Sequence, residues 1–200
     1  YYPPNSGTVE FGGKALERGR PETRAGHGIA RTFQTPRIVG EASVLDNIMI
    51  GGTVKGRAGF LTTLLSLPGH HRDEAGLRSA ALEVLSIIGL ENLANVRADR
   101  LQHSELRFIE IARALMLRPA FLLLDEPANG LDPAGMREVR QLLRRLADDG
   151  RTVFVSSHIL SEVQQTCDRV AILSRGRCVT SGTVEEVLHA GRSDALILKT

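Results

Sequence analysis

The feature that most constrains the fold is an uninterrupted apolar run that ends in two carboxylates, AFLLLDEP at residues 120–127. Runs of this kind are typical of strands that are buried on both faces, as in parallel sheets. Ligands bind beyond the carboxyl ends of such strands. The run therefore predicts an α/β fold in which Asp125 and Glu126 lie at the functional edge of the sheet.

Helical and strand-like patterns alternate around this run. Apolar residues at three- and four-residue intervals share one helical face before it, and Pro119 ends that helix. The members of that face are Leu106, Ile109, Ala112 and Met116. After the run come a helix, the buried strand TVFVSS, a second helix and a third strand, RVAIL. This order predicts a doubly wound α/β core.

Two helices in this half of the chain carry explicit end signals. Asp132 and Pro133 predict the N-cap and first turn of one helix, and Gly150 predicts its end. Its inner face is predicted to consist of Met136, Val139, Leu142, Leu143 and Leu146. Thr183 and Glu186 have the spacing of a capping box, which predicts a terminal helix.

The first half of the chain reads as a Gly-rich β segment followed by a helical region. One predicted helix ends at Gly89. Its inward-facing apolar residues are predicted to be Leu77, Ala81, Leu82, Val84, Leu85 and Ile88. His70 and His71 precede it in a Gly- and Pro-containing stretch, which we interpret as a loop with solvated histidines. We predict three domains: an N-terminal β segment of the core at 1–34, a helical subdomain at 35–115, and an α/β core at 116–200.

The stretch GTVEFGGKAL at residues 7–16 superficially matches a phosphate-binding loop. That loop requires G-x-x-x-x-G-K-[ST], because its N–H groups surround the phosphates and its hydroxyl meets Mg²⁺. With four residues between the glycines, the motif needs a glycine where the chain has Thr8 rather than at Gly7, and Ala15 follows Lys14. The stretch instead predicts a β-hairpin with Gly12 and Gly13 in its turn.

Composition excludes several classes of function. The formal net charge is +2 and aromatic residues make up 4% of the chain, so the sequence offers neither a basic patch nor stacking platforms for a nucleic acid. Cys167 and Cys178 form no C-x-x-C pair, which favours a reducing, cytoplasmic compartment. No apolar run approaches the roughly 18 residues of a membrane-spanning helix. The first residue is Tyr1 rather than Met, which fits a piece of a longer protein.

The residues at the strand ends indicate phosphoryl chemistry. We expect Asp125, Glu126 and His158 to converge on one rim, because each follows a buried strand. Asp125 suits Mg²⁺ held through water, Glu126 suits polarising an attacking water, and His158 suits sensing the departing phosphate. The alternative is that each residue merely ends a strand and is solvated. Their coincidence with Gln34 favours the site.

Four motifs occur in a specific order, namely FQ at 33–34, LLLDEP at 122–127, NGLD at 129–132 and SSH at 156–158. From about Ser6 to Val187 the chain resembles the nucleotide-binding domain of an ABC transporter. The resemblance implies an α/β fold: a RecA-like P-loop NTPase core with a mostly parallel sheet, a small antiparallel β segment at the N-terminus and an inserted helical subdomain.

Within that family, two features are most similar to the ATPases of branched-chain amino acid importers. These are GIARTFQ at 28–34 and the long insertion between Asn47 and Leu77. The later SSHILSEVQQTCDRVAI, at 156–172, is also common in exporter-type ATPases. Import and export therefore both stay open, and the transported substrate is not encoded in this chain.

The resemblance implies roles for individual residues. Gln34 would contact Mg²⁺ and the membrane subunit, Asp125 would hold the metal, and Glu126 would be the catalytic base. Asp132 would lie in the dimer loop near the nucleotide, and His158 would be the switch histidine. The implied cofactors are ATP and Mg²⁺. The implied partners are transmembrane permease subunits and a second ABC ATPase subunit, which forms a homo- or heterodimer with this one. No nucleic acid is implied. The implied location is cytoplasmic, peripheral on the inner face of the cell membrane.

The chain departs from the family at its signature, where L-S-G-G-Q is replaced by L-Q-H-S-E at 101–105. The signature normally approaches the γ-phosphate of a nucleotide on the partner subunit. His103 would block the close backbone approach that glycine permits. Ser104 stays a candidate nucleotide contact and is expected to cap the following helix, while Glu105 replaces the glutamine.

The family's phosphate-binding loop belongs upstream of residues 6–13, so we predict that this chain alone does not hydrolyse ATP. It is either a fragment of an ATPase or a degenerate, non-hydrolysing regulatory subunit. Glu126 and His158 favour the fragment, whereas the altered signature favours degeneracy of the site on the partner. Hypotheses from other classes are a motor-like or regulatory ATPase acting on nucleic acid or ribosomes, and an interaction module recruited by the helical lobe.

Overall fold

The structure is a computed structural model that describes residues 6–16, 26–32, 38–53 and 68–195, without the side chains of 68–73 and 190–195. The chain divides into two compact units, Tyr1–Ser156 and Ser157–Thr200. The division at 34/35 and 115/116 drawn from the sequence stays a prediction. The fold is α/β, a RecA-like core with a parallel sheet, small antiparallel strands and helices.

The N-terminal hairpin consists of β1 (Glu10–Phe11) and β2 (Lys14–Ala15). Its strands pair antiparallel, with Phe11 opposite Lys14. Gly12 has a φ of 57° and Gly13 a φ of 73°. Two positive φ values in a row are what a two-residue type I′ turn requires, and glycine supplies them without steric cost. The structure confirms the predicted hairpin.

The parallel sheet of the first unit contains β3 (Ile29–Arg31), β4 (Phe121–Asp125) and β5 (Thr152–Ser156), in the order β3-β4-β5. Leu122 and Leu124 of the central strand are fully buried. β5 was predicted as a buried strand, but its Phe154 is 48% exposed. Phe154 is exposed because β5 lies at the edge of the described sheet, where its one neighbouring strand is β4.

Three helices pack together in the first unit: α1 (Val44–Gly52), α2 (Pro68–Ile88) and α3 (His103–Leu115). Short 3₁₀ turns at Glu91–Leu93 and Ala98–Arg100 connect α2 to α3. The fully buried side chains that these helices share include Ile48, Leu85 and Ile109. A Cβ atom on Gly51 would overlap the carbonyl of Arg113, so α1 and α3 approach each other backbone to backbone.

Two details of α2 differ from the sequence analysis. Leu82 was predicted to face inward but is 45% exposed, because it is one residue, or about 100° of helical rotation, from the buried Ala81. His70 and His71 were placed in a loop, but their backbone belongs to the first turns of α2. The end of the helix is as predicted, since Gly89 takes a φ of 74° directly after Ile88.

The helix between β4 and β5, α4 (Pro133–Asp148), begins and ends as predicted. Asp132 is its N-cap, and its Oδ1 accepts a hydrogen bond from Gly135 N at 2.9 Å. The inner face is buried at Val139, Leu142, Leu143 and Leu146, whereas Met136 is half-buried. Gly150 follows with a φ of 86°.

The second unit contains α5 (Leu160–Thr166), β6 (Arg169–Ser174), β7 (Arg177–Thr183) and α6 (Val184–Ala195). The sequence pattern predicts β6 as the third strand of a doubly wound sheet, but β6 pairs antiparallel with β7. The turn between them, Arg175 and Gly176, has φ values of 49° and 74° and closes a local hairpin. The described parallel sheet therefore has three strands that do not include β6.

The capping box at the start of α6 is confirmed. Glu186 Oε2 accepts from Thr183 N at 2.8 Å, and Thr183 Oγ1 accepts from Glu186 N at 3.2 Å. Across the described part of the chain, none of the helices is both long enough and apolar enough to cross a membrane.

Candidate functional site

The parallel pairing of β4 and β5 places Asp125 directly opposite Ser156 at the carboxyl ends of both strands. Ser156 Oγ donates a hydrogen bond of 2.6 Å to Asp125 Oδ1. This length is typical of an O–H bond to a charged oxygen, which is stronger than a bond between neutral groups. One oxygen of the Asp125 carboxylate is therefore held by the neighbouring strand.

Glu126 leaves the strand in an unusual backbone conformation. Its φ is 49°, in the left-handed region that non-glycine residues rarely adopt and that costs about 1–3 kcal/mol. Its N–H donates both to the carbonyl of Ser156 at 3.1 Å and to Ser156 Oγ at 3.2 Å. Backbone strain supported by nearby hydrogen bonds is characteristic of functional sites.

A cation lies on the other side of Asp125. Arg31, at the end of β3, places its Nη2 3.6 Å from Asp125 Oδ2, with the two side chains 54% and 31% exposed. A pair this open to solvent contributes at most about 1 kcal/mol to stability. The pair also shows that Asp125 Oδ2 lies on the side of Arg31.

The N-terminus of α3 is capped by a residue other than the predicted Ser104. Gln102 is the N-cap, and its N–H donates to Glu105 Oε2 at 2.7 Å. Ser104 was expected to cap this helix, but it lies in the first turn. The prediction failed because serine is a common N-cap residue and glutamine is not. Here Glu105, at the third helical position, bonds back to the N–H of Gln102 as in a capping box.

Residues 102–105 pack against the loop that carries NGLD. A Cβ atom placed on Gly130 would lie 3.3 Å from His103 Nε2, and one on Gly135 would lie 3.1 Å from Ser104 Cβ. The absence of side chains at Gly130 and Gly135 thus makes room for the His103 and Ser104 side chains. Asp132, between these glycines, directs one carboxylate oxygen to its own helix.

Comparison with known proteins identifies the family. A family model described as ABC transporter matches residues 1–129, which is more than half of the chain. The chain belongs to the ABC transporter family, as an ATP-binding domain. A second model, described as "AAA domain, putative AbiEii toxin, Type IV TA system", matches residues 104–163.

Relatives of this ABC domain agree with the match. LivG of Salmonella typhimurium strain LT2, a high-affinity branched-chain amino acid transport ATP-binding protein, is 31% identical over 94% of this chain and 74% of its own. LivG of Escherichia coli K12 is 30% identical over the same shares. A nucleotide-free ATP-binding cassette of an ABC transporter has a TM-score of 0.79 at 27% identity, covering 98% of this chain and 76% of that one. A cassette solved in its ADP conformation has a TM-score of 0.78 at 25% identity, covering 98% and 78%.

The structure brings together only part of the predicted site of the ABC domain. Asp125 and Glu126 are adjacent, and each is hydrogen-bonded to Ser156. Gln34 lies outside the described residues. His158 belongs to the second unit, in an exposed segment where Ser157 Oγ accepts from Ile159 N at 3.1 Å. The convergence of His158 and Gln34 with the two carboxylates stays a prediction.

Sequence reasoning missed two residues, Arg31 and Ser156. Both lie in motifs that were recognised, GIARTFQ and SSH, but neither was assigned a contact. The signal for Ser156 was available in the two strands: aligning LLLD at 122–125 with VFVS at 153–156 as parallel neighbours pairs Asp125 with Ser156. Arg31 could have been found the same way, because it ends the strand on the other side of β4.

The donor set of the described ABC domain fits a Mg²⁺ ion that arrives with a nucleotide. No group of three or more His, Cys, Asp and Glu side chains forms a metal site within the described ranges. Mg²⁺ commonly binds through one or two carboxylates while phosphate oxygens and waters complete its coordination. Asp125, with Oδ2 directed away from Ser156, is the residue that would hold it.

Proposed function

We propose that this ABC domain couples ATP binding and hydrolysis to the transport of a small substrate such as branched-chain amino acids. The observation that carries the proposal is the pair Asp125 and Glu126 at the end of a parallel strand: Asp125 accepts a hydrogen bond from Ser156, and the Glu126 N–H donates one to Ser156. The names of relatives at about 30% identity support the substrate class.

In this proposal the residues keep the roles that the family resemblance implies. Asp125 holds Mg²⁺ through water, Glu126 is the base that polarises the attacking water, and His158 responds to the departing phosphate. Gln34 contacts Mg²⁺ and the membrane subunit, and Ser104 and Asp132 face the nucleotide across a dimer. Bound Mg²⁺ neutralises charge on the phosphate oxygens.

The partners follow from the same proposal. A second ABC ATPase, identical or different, completes the nucleotide sites, and transmembrane permease subunits carry the substrate. The domain works at the inner face of the membrane, peripheral to those subunits. The names of the relatives, which are ATP-binding proteins of transport systems, support this arrangement.

The test uses the chain with a phosphate-binding loop segment, G-x-x-x-x-G-K-[ST], placed ahead of Ser6 and reconstituted with its permease subunits in vesicles. We expect ATP-dependent uptake of labelled leucine, and loss of both uptake and ATP turnover in Glu126→Gln. If the complex turns over ATP but neither takes up nor extrudes a branched-chain amino acid, the proposed substrate class is wrong and the ATPase role is unaffected.

Two other functions have a specific observation in their favour. The segment at 156–172 favours an exporter-type ATPase, and extrusion from preloaded vesicles would reveal it. The L-Q-H-S-E sequence at 101–105 favours a non-hydrolysing regulatory subunit. In that case the Glu126→Gln variant would support the same turnover of the whole complex as the unmodified chain.

A further inference from the structure

Ser156 contacts both carboxylate-bearing residues at the end of β4. Its hydroxyl donates to Asp125 Oδ1 at 2.6 Å and accepts from Glu126 N at 3.2 Å, and its carbonyl accepts the same N–H at 3.1 Å. We propose that Ser156 is a positioning residue for ATP hydrolysis, which orients the Asp125 carboxylate and fixes the backbone from which Glu126 projects. This inference rests on the proposed function.

The direction of each hydrogen bond follows from the chemistry of the groups. A hydroxyl has a single proton and two lone pairs, whereas a main-chain N–H can only donate. The Glu126 N–H therefore uses a lone pair of Ser156 Oγ, and the hydroxyl proton is left for Asp125. One side chain thus links the predicted metal-holding residue to the predicted base through two bonds that are compatible with each other.

The second bond matters because of the conformation at Glu126. The φ of 49° is unfavourable for a residue with a Cβ atom, and the next residue, Pro127, has no N–H. The Glu126 N–H is therefore the single main-chain donor of these two residues, and both of its acceptors belong to Ser156. Removing the hydroxyl leaves one acceptor and loosens the direction in which the Glu126 side chain leaves the strand.

The first bond fixes which oxygen of Asp125 is presented to a ligand. With Oδ1 bound to Ser156, Oδ2 lies on the side of Arg31, at 3.6 Å from its Nη2. Asp125 and Ser156 are both half-buried, so the bond is partly shielded from competing water. Groups that orient a metal-binding carboxylate in this way commonly change activity by about 10–100-fold when they are removed.

The experiment compares three variants in the chain that carries a phosphate-binding loop ahead of Ser6. Ser156→Ala removes the hydroxyl, Ser156→Thr keeps it on a residue suited to a strand, and Ser181→Ala is the matched control on the exposed part of β7. We expect Ser156→Ala to lower kcat on the order of 10–100-fold with KM for ATP within about twofold. Ser156→Thr should recover most of kcat, and Ser181→Ala should match the unmodified chain.

A second measurement does not depend on hydrolysis. In ¹⁵N-labelled protein, the Glu126 amide should exchange with solvent faster in Ser156→Ala than in Ser156→Thr or Ser181→Ala, while thermal unfolding shows that all three are folded. The inference is overturned if kcat of folded Ser156→Ala equals that of Ser181→Ala, or if Ser156→Thr is as impaired as Ser156→Ala. If the chain that carries the phosphate-binding loop has no ATPase activity even without a substitution at Ser156, the proposed function fails. An unchanged Glu126 amide in Ser156→Ala separately refutes the positioning role.

Discussion

The carboxyl end of β4 and the amino end of α3 each contain a hydrogen-bonded acidic residue, but the two carboxylates have different partners. Asp125 accepts from Ser156 on the neighbouring strand, and its second oxygen lies 3.6 Å from Arg31 Nη2. Glu105 instead accepts from Gln102 N, a main-chain donor at the start of its own helix.

This difference has a chemical consequence. A helix N-terminus binds anions because its first N–H groups lack partners within the helix. At α3 the Glu105 carboxylate already serves one of these groups, and the glycines of the family signature are replaced by His103 and Ser104. The end of β4 thus has a carboxylate that a metal could use, whereas at the start of α3 the carboxylate is already bonded to its own helix.

The largest expected effect concerns ATP binding by the 200-residue chain. Neither region supplies the ring of N–H donors that surrounds phosphates. Losing four such charge-assisted bonds removes about 6 kcal/mol or more, on the order of 10⁴-fold in affinity. We expect a Kd for ATP of about 1 mM or weaker by calorimetric titration. Micromolar binding by residues 1–200 would show that another part of the chain holds the phosphates.

The next effect separates the two regions directly. In the chain with a phosphate-binding loop, Glu126→Gln should lower ATP turnover by about 10²–10⁴-fold, because the amide cannot accept a proton. Glu105→Gln is the matched control, with the same chemical change in the other region. Nucleotide binding should persist in both variants. Turnover of Glu126→Gln within about twofold of the unmodified chain would show that Glu126 is not the base.

A smaller effect tests the signature. With a partner ATPase that has an intact L-S-G-G-Q, converting residues 102–105 to Ser-Gly-Gly-Gln should raise activity per dimer by about twofold, if the two sites act independently. Repeating the repair in a Glu126→Gln background silences this chain's own site, so the gain is then measured on the partner's site alone. No gain, while the partner's site turns over normally, would mean that the altered signature is harmless.

Glu105 also stabilises its own helix, so its replacement has a cost that the repair must overcome. An acidic side chain in a first turn contributes about 0.3–1 kcal/mol. We expect Glu105→Gln to lower the free energy of unfolding by that amount in urea titrations. A loss well above this range would mean that Glu105 supports more than the capping box.

The smallest effect concerns the equivalent box at α6, far along the chain from both regions. The main-chain N–H of Thr183, and then its hydroxyl, hold the pKa of Glu186 below its ordinary value of 4.5. A lowered pKa means that the ionised form stabilises the fold above about pH 4.5, and that this contribution is lost as pH falls through the lower, folded-state value. Glu186→Gln should flatten the acid limb of a thermal unfolding series, and an unchanged limb would contradict this.

Local signals predicted the parts of this fold that depend on a few neighbouring residues. The Asp132 N-cap, the Thr183 box and the Gly12-Gly13 turn are all decided within four residues, and all three are present. The β6–β7 hairpin was missed because its first turn residue is Arg175, which rarely takes a positive φ. Ser156 was missed for another reason, since its contacts depend on strand register rather than on local sequence.

The close contact between Gly51 and Arg113 has a mechanical consequence. Where side chains separate two helices, rotamer changes can absorb small displacements, but here main chain meets main chain. We therefore expect α1 and α3 to move together, including Gln102 at the start of α3. Even a methyl group at position 51 would require the two helices to separate.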